Sequence, residues 1–211
     1  MNDAALLEAK LQRVSFATLG HFLEDGFVSH EIRAQVSGVK FVGRAATLRV
    51  ADADAYAVNR ALASLQDGEV LIIDMQGDHR HACVGTVTSC AAAARGARAI
   101  VVDGVVTDIV ELHEAGLPVF ARGTSLLTTK LRASPESARG VVVNCGGVKV
   151  SPGDWVMGDD NGLLILPSRE LADVIDTALA SDTAEPEILR RLRSGEALEQ
   201  VLRINPVTAQ G

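Results

Sequence analysis

The stretch AIVVDGVVTDIVEL, Ala99 to Leu112, decides how the chain folds. It opens on a run of β-formers that reads as a strand. Asp103-Gly104 supplies a turn, Val105 and Val106 follow, and from Asp108 to Ala115 the spacing is helical, with Gly116 and Pro118 as stop signals. Loops beyond the carboxyl ends of parallel strands are where α/β sheets place their ligands, so Asp103 and Asp108 stand at a candidate ligand edge. Asp108 has two readings, a helix N-cap or a carboxylate placed to hold a metal. Spacing alone leaves both open. Asp103 before Gly104 is likewise a good turn residue.

Outward from this stretch the same alternation repeats. FVGRAATLRV (Phe41–Val50) reads as a strand, DAYAVNRALASL (Asp54–Leu65) as a helix and GEVLIIDM (Gly68–Met75) as a strand. TVTSCAAAARGA (Thr86–Ala97) reads as a helix with Gly96 as its closing glycine, and PVFARG as a further strand. Strand–helix alternation implies right-handed crossovers onto a largely parallel sheet, an α/β class. Helical spacing also covers Ala4–Arg13 and a short segment at Thr18–Leu23. After Leu131 the character changes. GVVVNCGGVKVSPGDWVMGDDNGLLILP reads as short strands joined by Gly-Gly, Pro-Gly and Asn-Gly turns, a β-rich portion packing with the α/β portion. SRELADVIDTALASD and EPEILRRLRSG close the chain as two helices. With no repeat, low-complexity segment or linker, residues 1–211 are expected to form one domain, with an N-terminal helix at about 1–14 and C-terminal helices at about 168–195.

Composition narrows the function classes. Only 3% of the 211 residues are aromatic, so the core must be built from Val, Ala, Leu and Ile. The net charge of -7 comes without a basic block or a stacking platform, which argues against nucleic-acid binding. No apolar run approaches the roughly 20 residues that span a bilayer, and the N-terminus lacks the apolar stretch of a signal peptide. No membrane partner and a cytoplasmic location are the expectations. The three cysteines have neither disulfide-framework nor zinc spacing; Cys83, Cys90 and Cys145 read as small buried hydrophobes.

The loop from Gly77 to Gly85 leads directly into a helix, whose first turn offers unpaired N–H groups to a carboxylate or phosphate. It is not a Walker loop or a dinucleotide fingerprint, and from the residues alone an ordinary strand–helix loop is the favoured reading. His79 and His81 sit on that loop, and the five histidines do not cluster as a metal triad. GDDNG (Gly158–Gly162) lacks the glutamate of a calcium loop and fits a strand turn.

Five stretches, GVKFVGRAATLRV, GEVLIIDMQGD, RGARAIVVDGVVTDIVEL, GLPVFARGTS and NCGGVKVSPGDWVMGDDNGLLILP, follow one another in an order and spacing that resembles the RraA-like proteins, from about Val14 to Pro167. That family includes 4-hydroxy-4-methyl-2-oxoglutarate/4-carboxy-4-hydroxy-2-oxoadipate aldolases and the regulator of ribonuclease E activity. The resemblance implies a swivelling β/β/α domain that assembles as a homotrimer or as a hexamer of two trimers. It also implies that Asp108 holds Mg2+ or Mn2+, largely through water. Asp103 matches the upstream aspartate of the site, and Gly85, Thr86 and Val87 match the amides that take the substrate carboxylate.

One position departs. Thr107 stands where the aldolases carry an arginine that grips the 2-oxo acid, and a charge-assisted contact of that kind is worth roughly 1.5–3 kcal/mol. Arg80, in the facing loop, is the candidate replacement, so Asp108, Asp103 and Arg80 are the expected catalytic residues. The implied function is a metal-dependent lyase, an aldolase or decarboxylase that cleaves a short 2-oxo acid such as 4-hydroxy-4-methyl-2-oxoglutarate or oxaloacetate to give pyruvate. The alternatives are a non-catalytic regulator or binding protein, and a metal enzyme of the same fold whose substrate has changed with Thr107. Glu185 and Glu187 are candidates to reach a neighbouring subunit.

Overall fold

The structure, a computed structural model, describes residues 3–204. Two helices, α1 (Asp3–Arg13) and α2 (Phe16–Leu19), precede the short strand β1 (Arg33–Ala34) and the long β2 (Lys40–Arg49). The anticipated alternation follows, with α3 (Ala55–Ser64), β3 (Glu69–Asp74), α4 (Thr86–Ala94), β4 (Ala99–Asp103), the short β5 (Val105–Val106), α5 (Ile109–Ala115) and β6 (Val119–Ala121). Next come β7 (Gly123–Thr124), β8 (Ala138–Arg139), and the hairpins β9 (Val143–Cys145) with β10 (Val148–Val150) and β11 (Trp155–Asp159) with β12 (Gly162–Leu166). The helices α6 (Ser168–Arg193) and α7 (Leu198–Val201) come last.

The main sheet runs in the order β1-β6-β4-β3-β2-β11-β12, with β8 also on β2. Neighbours among β2, β3, β4 and β6 are parallel, whereas β1, β8, β11 and β12 join antiparallel. The β-rich segment therefore divides. Its hairpin β11–β12 extends the main sheet, and only β9–β10 lies across a face. Strand β2 makes this possible by pairing β11 along Lys40–Arg44 and β3 along Arg44–Arg49.

Three apolar clusters result. On one face Leu71, Ile73, Ile100 and Val102 pack beneath Val58, Ala61, Ala92 and Leu112 of α3, α4 and α5. On the other, Val70, Ile72, Ala99 and Val101 meet Val143, Cys145 and Val150 of the β9–β10 hairpin. Helices α1, α2 and α6 cover Val42, Trp155, Met157 and Leu164. This is the expected mixed α/β arrangement, a small β layer, a sheet and a helical layer.

Local chemistry explains where elements begin and end. Asp54 caps α3 by accepting the Tyr56 N–H at 2.9 Å. Helix α4 stops at Ala94, short of the expected Ala97, because Gly96 takes up a left-handed φ of 78°. The short helix expected to include Thr18–Leu23 is α2, which starts at Phe16, where Asp182 of α6 accepts the Ser15 N–H at 2.6 Å and the Thr18 hydroxyl, and ends at Leu19, with turns following. The two closing helices expected from the sequence are one, with α6 running through Pro186. Proline removes a single intrahelical hydrogen bond, and that loss does not end a 26-residue helix. Asp159–Gly162 forms a strand turn as expected, with Asp159 accepting the Asn161 N–H at 2.8 Å. Cys83 and Cys145 are buried, and burial pushes the Cys83 thiol up to about 12. Cys90, expected to be buried, is exposed on α4.

Ile72 is fully buried at the centre of the sheet. Ile72→Ala is expected to lower the unfolding free energy by about 2–5 kcal/mol, read from the midpoint shift in a urea titration with an unchanged slope.

Candidate functional site at the carboxyl end of the sheet

The parallel register of β3 and β4 sets Asp74 directly beside Asp103, at the carboxyl ends of both strands. Each aspartate holds the hairpin that covers the opposite face. Asp74 accepts the Gln76 and Asn144 N–H groups at 2.7 and 3.1 Å. Asp103 accepts the Gly146 N–H at 2.7 Å on one oxygen and Arg122 Nε at 2.6 Å on the other. The Arg122 guanidinium, its pKa raised chiefly by the Asp103 hydrogen bond, also reaches Glu31. Asp103, expected among the catalytic residues, thus has a partner for each oxygen. Gly104 follows with no room for a side chain, since a Cβ there would lie 2.8 Å from Met75 Cγ. The chain can then turn tightly into β5, which pairs with β7 and leads to Thr107.

Asp108 occupies the N-cap position of α5 but does not cap that helix with its side chain. Its backbone lies in the left-handed region, φ 58° and ψ 46°, a conformation aspartate tolerates better than most residues. That turn sends the carboxylate across to the first turn of α4. There Oδ2 accepts the Thr86 N–H at 2.9 Å and the Thr86 hydroxyl at 3.1 Å, while Oδ1 accepts the Thr107 hydroxyl at 3.2 Å. The Thr86 N–H, followed by the two hydroxyls, holds the Asp108 carboxyl below the usual carboxylate range. The approach needs glycine at 85, because a Cβ would lie 2.4 Å from Asp108 Oδ2 and 2.9 Å from Thr107 Cγ2. Asp108 is therefore a cap after all, of the neighbouring helix, and the carboxylate itself stays exposed.

The amides expected to cradle an anion have mixed engagements. Gly85 N–H donates to Thr88 Oγ1 at 2.7 Å, and Thr86 N–H goes to Asp108. Val87 stands exposed on the outer side. Thr107 N–H donates to the Val84 carbonyl at 2.9 Å, which locks the two strand–helix junctions together.

Arg80 is placed by its backbone. Its N–H donates to Asp78 Oδ1 at 2.9 Å, and its carbonyl accepts the Ser125 hydroxyl at 2.7 Å. Ser125 N–H in turn donates to the Val106 carbonyl at 2.9 Å, so Ser125 ties the Arg80 loop to the residue before Thr107. The Arg80 guanidinium makes no hydrogen bond or ion pair among the described residues. His81 Nδ1 is 2.7 Å from Asp78 Oδ2, and the half-exposed His79 lies 3.9 Å from Asp103. Burial raises the Asp78 pKa, but the Arg80 amide and then His81 outweigh it, and the net shift is downward.

Sequence reading did not single out Arg122, Ser125 or Thr88. Thr88 had a local signal, a hydroxyl three residues into a helix that lacks a side-chain cap. Arg122 and Ser125 had none, because their partners come from elsewhere in the chain. Among the described residues no group of three or more His, Cys, Asp and Glu side chains is arranged to hold a metal ion, and no helix is long and apolar enough to cross a membrane.

Comparison with known proteins bears on the fold and the family. The RraA-like family, described as Aldolase/RraA, matches residues 4–165. A Halalkalibacterium halodurans protein with the provisional name 4-hydroxy-4-methyl-2-oxoglutarate aldolase is 34% identical over 137 residues, 65% of this chain and 64% of its own length. The match thus spans just under two thirds of that relative. An uncharacterized protein from Pseudomonas syringae pv. tomato superposes with a TM-score of 0.79 at 26% identity, covering 95% of this chain and 98% of that one. The RNA-processing inhibitor RraA from Thermus thermophilis superposes with a TM-score of 0.65 at 28% identity, covering 74% and 93%. Fold and family match coincide over most of the chain, which belongs to the RraA-like family.

Proposed function

We propose that this chain is a divalent-metal-dependent carbon–carbon lyase that cleaves a short 2-oxo acid, such as 4-hydroxy-4-methyl-2-oxoglutarate or oxaloacetate, with release of pyruvate. The observation that carries the reading is Asp108, an exposed, ionised carboxylate held in a left-handed turn at the ligand-binding edge of the sheet. The provisional aldolase name of the Halalkalibacterium relative supports it.

The donor set suits a hard cation. A lone carboxylate flanked by the Thr86 and Thr107 hydroxyls matches Mg2+ or Mn2+, which keep several waters and take one or two protein carboxylates. Asp108 would hold it, and a metal there supplies Lewis-acid polarisation of a carbonyl oxygen. The other residues bind and orient. Thr86 N–H is the amide at the start of α4 that a substrate carboxylate can take once Asp108 turns toward a cation. Arg80 carries the free guanidinium of the site, tethered through Ser125 beside Thr107. Asp103, bound on both oxygens, keeps the β4–β5 turn in place. The reading includes assembly as a homotrimer or hexamer, since Val87, Val110 and Leu126, 83%, 63% and 97% exposed, leave apolar surface beside the site.

Thr107 favours a second reading. Its hydroxyl is neutral and already directed at Asp108, and on that reading the chain is a regulator of the kind named for the Thermus thermophilis structure or a metal enzyme with a different substrate. Pull-down of a stoichiometric protein partner, with no turnover of any 2-oxo acid, would select the regulator.

Wild-type protein is expected to release pyruvate in a lactate dehydrogenase-coupled assay with Mg2+ or Mn2+, and to lose that activity in excess chelator or on Asp108→Ala. Turnover that persists unchanged in chelator would sink the lyase reading. Thr107→Arg should raise kcat/KM on 4-hydroxy-4-methyl-2-oxoglutarate by roughly ten- to a hundredfold, the worth of one charge-assisted contact. A fall in kcat/KM would instead point to a changed substrate. Without metal, Asp108→Gly should bind pyruvate more tightly than wild type in a calorimetric titration, because glycine adopts the left-handed turn freely and vacates the Thr86 N–H.

A further inference from the structure

A second cleft lies at the opposite end of the sheet from Asp108. It has a volume of about 600 Å³ and sits at the amino ends of β2, β4 and β6, between α1 and the last turns of α4 and α5. Its walls are polar and apolar in similar measure, with Ala93, Ala115 and Pro118 on the apolar side, and among the described residues no aspartate or glutamate lines it. Two cations do, Lys40 and Arg98.

Both cations are held in place without a carboxylate. The Lys40 ammonium donates to the Val14 carbonyl at 2.8 Å and lies 4.8 Å over the Phe16 ring. Arg98 is fixed at its backbone, where its N–H donates to the Glu69 carbonyl at 2.8 Å. Its stem crosses Gly43, where a Cβ would lie 3.3 Å from Arg98 Cγ. A Cβ at 43 would first meet the Gly68 carbonyl and Val70, each at 2.7 Å, and the arginine stem passes beside the same glycine. The guanidinium itself makes no hydrogen bond or ion pair among the described residues. In a chain with 27 acidic residues against 20 Lys and Arg, two cations facing an acid-free cleft are an unbalanced pair. The adjoining cleft, about 530 Å³, shares Arg98 but is lined by Glu8, Asp67 and Glu69, so an anion is turned away from it and toward the first.

We propose that the first cleft binds an organic anion with an apolar body, a carboxylate or a phosphate monoester. The charged group rests on Arg98 and Lys40 and the body against Ala93, Ala115 and Pro118. Arginine's planar fork matches either oxyanion, and the volume is that of a small-molecule site. This site is independent of the reaction proposed at Asp108.

Phenyl phosphate, titrated calorimetrically into the full chain, is the probe. Wild type should bind it saturably, and Arg98→Gln and Lys40→Gln should each weaken binding about tenfold or more. Ala93→Phe, on an exposed wall position of α4, should abolish binding by filling the cleft without changing charge, and its unaltered thermal midpoint separates that loss from misfolding. Asp108→Gly should bind as wild type does. Absence of saturable binding by wild type, equal affinity in Arg98→Gln and Ala93→Phe, or loss in Asp108→Gly would each overturn the assignment.

Discussion

Burial of β3 and β4 on both faces is the constraint on which the rest depends. Val70 to Ile73 and Ala99 to Val102 are almost completely excluded from solvent, which requires a helical layer on one side and the β9–β10 hairpin on the other. A one-residue slip between these strands would exchange the side chains of the two layers. The register is therefore held firmly, and it places Asp74 and Asp103 side by side. Those carboxylates secure the hairpin through Asn144 and Gly146, so packing at the centre of the sheet and geometry at its carboxyl edge support one another.

The site inherits its stiffness from this edge. Thr107 N–H to Val84, Ser125 N–H to Val106 and Asp108 to Thr86 stitch three loops that are distant in sequence. The left-handed backbone of Asp108 is tolerated because its carboxylate finds three donors there. The same engagement sets the terms for ligands, since whatever binds Asp108 or the Thr86 amide must exchange with an existing hydrogen bond.

Much of the architecture was legible from the chain. Hydrophobic runs and stop signals located the β2 to β6 alternation, and Gly96 and Gly116 marked helix ends that the structure places within a few residues. The errors have physical causes. The start of α2 depends on Asp182, more than 160 residues away in sequence, and α6 passes through a proline that local rules treat as a terminus. The exposure of Cys90 follows from which side of α4 meets the sheet, and the all-apolar alternatives along that Ala-rich helix carry little phase information.

Local sequence by itself determined that the chain builds an α/β sheet with a candidate ligand edge near Asp103 and Asp108, because strand runs, turn pairs and caps are written in neighbouring residues. Only the tertiary structure decided what those residues touch. It turned Asp108 from a cap of its own helix into a cap of α4, gave Asp103 to Arg122 and the hairpin, and brought Arg98 over Gly43 at the far end. Each of these depends on partners separated along the chain, whose meeting is set by packing and register and leaves no periodic mark in the sequence.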